Sequence, residues 1–315
     1  MSMLTDKLSL YAWGAIQTLR LGRPDLSLGF FGGIGDDLLC TAAIDEWLQR
    51  DTRRLWFFTR YPGLYAHYDR RVRLVPENAR YQQLALRLGR PMRALAYSTY
   101  DCTTDRDSPV REHIIVEMCR RAGLTGRIRL RPHLALTARE LAQARPWSNC
   151  IAVQTSGLTA AVPMRNKQWR ISRLQLVADH FATRGCHIVQ LGSAADPLLV
   201  GATDLRGRTS LRESAAVLAG ARLFVGIAGF LMHLARAVEC PGVIVYGGRE
   251  PPELTGYICN SNLTNRPECA PCWQRNRCDY DHRCMEAISA ASLIDAVTLM
   301  LAQPRGPLAE EIIHL

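Results

Sequence analysis

The sequence predicts an α/β protein of two domains, each built from strands that alternate with helices. Three observations predict it. Short apolar runs of strand length recur, with amphipathic stretches of helix length between them. Two blocks of this pattern flank a break at Arg145-Pro146. Near its start the first block runs from a strand pattern through glycines into a helix pattern, the layout of a ligand-binding edge in an open sheet. The 315 residues suffice for two domains of ordinary size, with boundaries at 1–147 and 148–315.

The elements follow in order. Residues 8–21 (Leu8, Leu10, Tyr11, Trp13, Ile16, Leu19, Leu21) read as an amphipathic helix that either packs on its own domain or lies on a membrane interface. Strands are expected at 28–31, 55–58, 72–75 and 95–97, with helices near 37–49 and 111–122. A helix over 136–147 leads into the linker. The second block places strands at 150–154, 187–191, 223–225 and 243–246, and helices at 170–184, 211–219 and 231–239. Strands separated by helices pair in parallel through right-handed crossovers. Residues 251–284, rich in Pro, Cys, Asn and Arg, read as a loop. A helix over 289–301 and a tail at 303–315 follow.

Composition narrows the class. A chain with 48% hydrophobic and 22% charged residues is a soluble globular protein. No apolar run approaches the roughly 18 residues of a membrane span, and the N-terminus lacks a signal-peptide layout. The expected location is the cytoplasm. The net charge is +10, and lysine stands only at positions 7 and 167, the rest of the 39 basic residues being arginine. Arginine favours phosphate or anionic lipid, which gives the basic surface a preference for the inner face of the cytoplasmic membrane. The basic residues are dispersed and form no recognised nucleic-acid module, so no nucleic-acid partner is expected.

The glycine turn is Gly32-Gly33-Ile34-Gly35-Asp36-Asp37. Gly32, Gly33 and Gly35 let another molecule approach the backbone. Asp36 and Asp37 fall in the first turn of the following helix, where the dipole favours a carboxylate. They are either a general base with its neighbour or plain helix caps. The third glycine of a dinucleotide fingerprint is missing, which disfavours an oxidoreductase. In the second block, Thr155, Ser156 and Gly157 follow a strand, and Lys167 follows nearby. Hydroxyls, a glycine and an ammonium at a strand's carboxyl end suit a phosphate, the alternative for Lys167 being a surface lysine. Asp196 either receives ribose hydroxyls or is solvated. Of Thr209 and Ser210, one is expected to be an N-cap. His233, at a helix start, is either a core residue or a ligand contact.

These segments together resemble glycosyltransferase family 9, the ADP-heptose lipopolysaccharide heptosyltransferases and their relatives. The resemblance rests on Gly32-Gly33-Ile34-Gly35-Asp36, Asn166-Lys167-Gln168-Trp169, Gly207-Arg208-Thr209-Ser210-Leu211, Leu223-Phe224-Val225-Gly226, Met232-His233-Leu234-Ala235 and Tyr246-Gly247. It implies the GT-B fold, two Rossmann-like domains facing across a cleft. It implies an inverting transfer of a heptose or related sugar from a nucleotide donor, ADP-heptose or another, to a glycolipid, glycan or protein acceptor, without a catalytic metal. It places the general base on Asp36, a donor-phosphate contact on Lys167, and donor contacts on Thr155, Ser156, Gly157, Asp196, Thr209, Ser210, Gly229 and His233. One departure stands out. The family's Asp-Thr-Gly ahead of the Met-His pair is Ala228-Gly229-Phe230 here. That loss leaves open a different donor sugar, a rewired site or a catalytically impaired binding or assembly subunit.

Eleven cysteines in a cytoplasmic chain point to thiols or a metal. Cys269, Cys272, Cys278 and Cys284 fall within sixteen residues and suit a tetrahedral zinc or iron site, disulfides and free thiols being the alternatives. Four thiolates leave no open position, so the metal would be structural. Within the family, a subgroup that modifies autotransporters holds iron through cysteines of this region. Cys259 is an additional candidate ligand, whereas Asp279, Asp281 and His282 are expected to be solvated. A metal-dependent regulatory protein built around this loop is a further alternative.

Overall fold

The computed structural model describes residues 2–30, 32–87, 91–304 and 306–315. Phe31, expected to end the first strand, lies outside the described residues. The first half contains α1 (Ser2–Leu21), β1 (Leu26–Gly29), α2 (Ile34–Leu48), β2 (Leu55–Thr59), β3 (Val72–Pro76), α3 (Ala79–Arg87) and β4 (Met92–Ala94). A small hairpin, β5 (Tyr100–Asp101) and β6 (Arg106–Asp107), precedes α4 (Ile114–Arg121), β7 (Arg127–Arg129) and α5 (Ala138–Gln143). The four-stranded sheet has the order β3-β2-β1-β4 and is parallel throughout.

The second half contains β8 (Ile151–Gln154), α6 (Ile171–Ala182), β9 (Ile188–Leu191), β10 (Thr203–Asp204), α7 (Leu211–Gly220), β11 (Leu223–Ile227), α8 (Phe230–Ala237) and β12 (Gly242–Gly247). Then follow α9 (Pro252–Thr255), β13 (Ser261–Thr264), α10 (Arg283–Glu286), α11 (Ala290–Ala302) and β14 (Ile312–His314). Its six-stranded sheet has the order β10-β9-β8-β11-β12-β13, also parallel. Every residue of β8, β9, β11 and β12 is buried. Helices cover both faces of such a sheet, which is why these strands read as unbroken apolar runs.

One apolar cluster passes through both halves, from Leu38, Ile44 and Ile115 to Leu231 and Leu234. Its bridge is α2 packed against α8, with α5 against α7 beside it. The sheets are therefore fixed to each other through helix faces. A second cluster, with Val153, Val177 and Leu293, fills the far face of the six-stranded sheet.

α1 packs on its own half. Trp13 stacks on Phe58 and meets the Tyr81 ring at a tilt, and Leu10 and Leu21 join the same cluster. Its outer side leaves Leu8, Tyr11, Ile16 and Leu19 exposed. Among the described residues no helix is long and apolar enough to cross a membrane.

Three features depart from expectation. The strand placed at 95–97 lies at 92–94, where Leu28 pairs with Arg93, and the chain leaves the sheet before Tyr97. Residues 251–284 hold a sixth strand, β13, paired with β12. Its sequence Ser-Asn-Leu-Thr is half-buried and carries no apolar run to announce it. The tail returns to the first half: β14 pairs antiparallel with β7, Ile312 opposite Arg129. A division at 147/148 leaves out this return.

Candidate active site

The carboxyl ends of the two sheets face one cleft of about 450 Å3. From the first half it is lined by the glycine turn, Asp36, Tyr97 and Asp107, and from the second by Gly157, Lys167, Gly229, Phe230, His233 and Glu250.

Asp36 is held by two donors. The Gly33 N–H donates to Oδ2 at 2.8 Å and the Tyr97 hydroxyl donates to Oδ1 at 2.6 Å. Burial pushes its carboxyl above the usual range, against the pull of those two bonds and of the Lys167 charge. A Cβ on Gly32 would lie 2.3 Å from Asp36 Oδ2 and 2.0 Å from the Phe30 ring, so only glycine lets the turn close over the carboxylate. Asp37, next in sequence, turns away into the fold. Thr59 donates to its Oδ2 at 2.6 Å and Tyr65 to its backbone and carboxylate oxygens. Burial pushes Asp37 up to about 6.

Lys167 sits in a 3-10 turn, Arg165–Lys167. Its Nζ donates to Glu250 Oε1 at 2.6 Å. Glu250 Oε2 in turn accepts from Arg249, and Arg249 also donates to Asp107. Arg275 Nε completes the chain on the other Asp107 oxygen at 2.9 Å. Burial pushes the Glu250 carboxyl up, but the Lys167 and Arg249 charges outweigh it and hold it below the usual range. Three cations and two carboxylates thus cross the floor of the cleft from the second half to the first.

The loop after β13 is clasped to the β5–β6 hairpin. Asp105 Oδ2 accepts from the Asn276 and Arg277 N–H groups at 2.6 and 2.7 Å, and Asp107 N–H donates to the Trp273 carbonyl. The same loop grips the residue before Lys167: Asn166 Nδ2 donates to the Gln274 and Arg277 carbonyls, and His282 Nε2 lies 2.9 Å from Asn166 Oδ1. His282 therefore fixes the lysine turn, contrary to the expectation of a solvated residue.

The expected donor contacts divide into two groups. Gly157, Lys167, Gly229 and His233 line the cleft. His233 is buried, which pushes it down to about 3, and its Nδ1 lies 2.6 Å from the Tyr257 hydroxyl, so a neutral imidazole faces the cleft. The other residues are engaged in hydrogen bonds within the protein. Thr155 Oγ1 donates to the Pro197 carbonyl and accepts from Gln190. Ser156 Oγ donates to Gln168 Oε1. Asp196 joins two loops through the Ser193 N–H and Thr159 hydroxyl. Thr209 Oγ1 pairs with Ser214, while Ser210 caps α7. None of these five lines the cleft. Conversely, Tyr97, Asp107, Gln154, Arg249, Glu250 and Arg275 do line it, and none belongs to a sequence motif.

Cys269, Cys272, Cys278 and Cys284 all border one small cavity of about 20 Å3, beside Gly248 and Asn166. All are free thiols. Among the described residues, no three Cys, His, Asp or Glu side chains are drawn into a metal-binding arrangement. Cys259 does not border that cavity and lies against Asn260 instead.

Residues 127–281 match the family model of glycosyltransferase family 9 (heptosyltransferase). The chain carries a glycosyltransferase family 9 domain. A curated relative, lipopolysaccharide heptosyltransferase 1 of Salmonella typhimurium strain LT2, is 38% identical over 65 residues, which is 21% of this chain and 20% of that protein. The matched stretch thus spans about a fifth of that relative's length. Solved structures extend the likeness over most of the chain. The iron-containing dodecameric glycosyltransferase TibC of enterotoxigenic E. coli shares 16% identity over 88% of this chain and 78% of its own, with a TM-score of 0.66. E. coli ADP-heptose LPS heptosyltransferase II shares 14% over 88% and 98%, with a TM-score of 0.65. A family 9 glycosyltransferase of Veillonella parvula shares 15% over 87% and 96%, with a TM-score of 0.62. The chain has the GT-B fold of those structures.

Proposed function

We propose that the protein is an inverting glycosyltransferase that moves a sugar, a heptose or a close relative, from a nucleotide donor to a hydroxyl of a lipid-linked or cell-surface glycan or protein. One observation carries the reading: Asp36 from the first half and Lys167 from the second line the same cleft. In the transfer, the acceptor oxygen bonds to the anomeric carbon as that carbon's bond to the diphosphate breaks. The acceptor proton passes to Asp36, and the electron pair of the broken bond leaves with the diphosphate. A carboxylate pushed above the usual range is a better proton acceptor near neutral pH than an exposed one. Lys167, backed by Arg249, supplies the positive charge for the departing diphosphate, in place of a divalent ion. Structures of E. coli WaaC with ADP and of TibC with ADP-D-beta-D-heptose support a nucleotide-sugar donor by kinship.

Asp36→Asn tests it. The variant should lose on the order of 10²- to 10⁴-fold in transfer rate while binding donor as the parent does. Near-normal turnover would sink the assignment of the base.

A second reading has its own observation. Ala228 is buried at the cleft and offers only a methyl where the resemblance leads one to expect a carboxylate. A binding subunit without transfer activity would still be stabilised by nucleotide sugars, yet would release no nucleotide on incubation with acceptor.

Two finer proposals accompany the first. The four cysteines around one cavity hold a structural metal, a role supported by kinship to an iron-containing enzyme and by the loop's grip on Asn166. Metal analysis of the purified protein should find one zinc or iron per chain, and Cys272→Ser should lose it. The acceptor is met at the membrane, where the exposed Leu8, Tyr11, Ile16 and Leu19 of α1 would rest.

A further inference from the structure

Gln154 ends β8 at the cleft and is 8% exposed. Its Nε2 donates to the Ser156 carbonyl at 2.8 Å. That bond fixes which way the amide is turned, since the reverse orientation would set two oxygens against each other. The remaining atom, Oε1, is buried and accepts a hydrogen bond from none of the described residues. An amide oxygen left so is rare in a folded protein and calls for a partner.

The surroundings offer none from within. Gly226 is the next residue of β11 after Val225, which pairs with Val153. A Cβ there would come within 3.3 Å of Gln154 Cβ, so glycine gives this side chain its room. Ala228, two residues further, contributes a methyl to the same cleft. Gln154 itself lines the cleft, together with Gly157 and Lys167.

We infer that Gln154 is a donor-sugar-binding residue whose Oε1 accepts a hydrogen bond from a hydroxyl of the transferred sugar. The inference rests on the transfer reading above and names part of its donor site. The chemistry selects a hydroxyl. A diphosphate has no hydrogen to give, and a cationic group would go to the carboxylates of Asp36 or Glu250. The position selects the donor: Gln154 lies in the same half as Lys167, and the group attached to the diphosphate is the sugar. Because the oxygen is neutral, it orients the hydroxyl without taking its proton. It is therefore a specificity residue and leaves proton removal to Asp36.

The test separates sugar from nucleotide. Affinities for ADP and for ADP-heptose are measured by calorimetry on the full chain and on Gln154→Leu, which keeps the bulk and loses the acceptor. Gln154→Met, unbranched and of similar length, repeats the measurement should the branched side chain disturb the fold. The expected result is that ADP binds equally well to all forms, while ADP-heptose loses about fivefold in the variants, the worth of one neutral hydrogen bond. Equal loss for both ligands would assign Gln154 a purely structural role, and no loss for either would leave its oxygen unused; each result overturns the inference alone. Wild-type protein that binds neither ligand, nor any other nucleotide sugar, would overturn the transfer reading and this inference with it.

Discussion

Removing the Tyr97 hydroxyl should move the pH at which the proposed transfer switches on. Asp36 is caught between burial, which favours its protonated form, and two donors that favour its charge: Tyr97 at 2.6 Å and the Gly33 N–H at 2.8 Å. Tyr97→Phe deletes the stronger of these and leaves ring stacking with Phe30 available. A hydrogen bond to a charged group is worth about 1.5–3 kcal/mol, and a shift of one pH unit corresponds to about 1.4 kcal/mol. The Asp36 carboxyl should therefore rise by a further ~1–2 units. A base must be ionised to act, so the acidic limb of kcat/KM should move to higher pH by that amount, with activity largely recovered on the alkaline plateau. The folding equilibrium should follow the same sign. A carboxyl raised in the folded state contributes stability below its ordinary titration range and loses it as pH rises through the folded value. Tyr97→Phe should thus match the parent at acid pH and become less stable above the raised value. Initial rates of nucleotide release across about pH 5–9, with urea melts at matching pH, measure both effects. An acidic limb that stays put, or moves to lower pH, would refute Asp36 as the base.

Two further perturbations probe the surroundings. Asp107→Asn removes the carboxylate shared by Arg249, only 2% exposed, and Arg275; the loss should be about 3 kcal/mol, or roughly 5 °C for a chain of this length, while Asp51→Asn, whose partner Arg53 is well exposed, should change Tm by about a degree or less. Asp37 is pushed up to about 6 by burial, so its contribution to stability is present below its ordinary value and lost between about pH 4 and 6; Asp37→Asn should abolish that slope, a difference of roughly 3 kcal/mol read from urea melts against pH.

The parts of this molecule that were legible in its sequence are those fixed by periodicity and by local steric need. Buried parallel strands must be continuously apolar, and so 55–58 and 243–246 announced themselves. Gly32 and Asp36 sit only four positions apart in sequence because the turn that holds the carboxylate is local. The rest of the cleft is assembled by distance. Glu250 reaches Lys167 across 83 positions, and Asp107 reaches Arg249 across 142. A carboxylate in a loop carries no mark of the cation it will meet. Tyr97 shows the same point differently: its apolar neighbours suggest a strand, yet the sheet has ended and the ring is free to deliver its hydroxyl to Asp36. Thr155, Ser156 and Asp196 show the reverse case. They stand at strand ends where ligands bind, but their polar atoms are consumed in tying loops to one another.

The return of the tail bears on how the chain is made. Among the described residues β7 finds its partner only in β14, and the Leu130 and Leu315 N–H groups bond across the same seam, to the Glu311 and Gly126 carbonyls. During synthesis the first half can form its four-stranded sheet early. It waits with the β7 edge uncovered until residues 311–315 have left the ribosome. A chaperone that shields a strand edge would have its binding window in that interval.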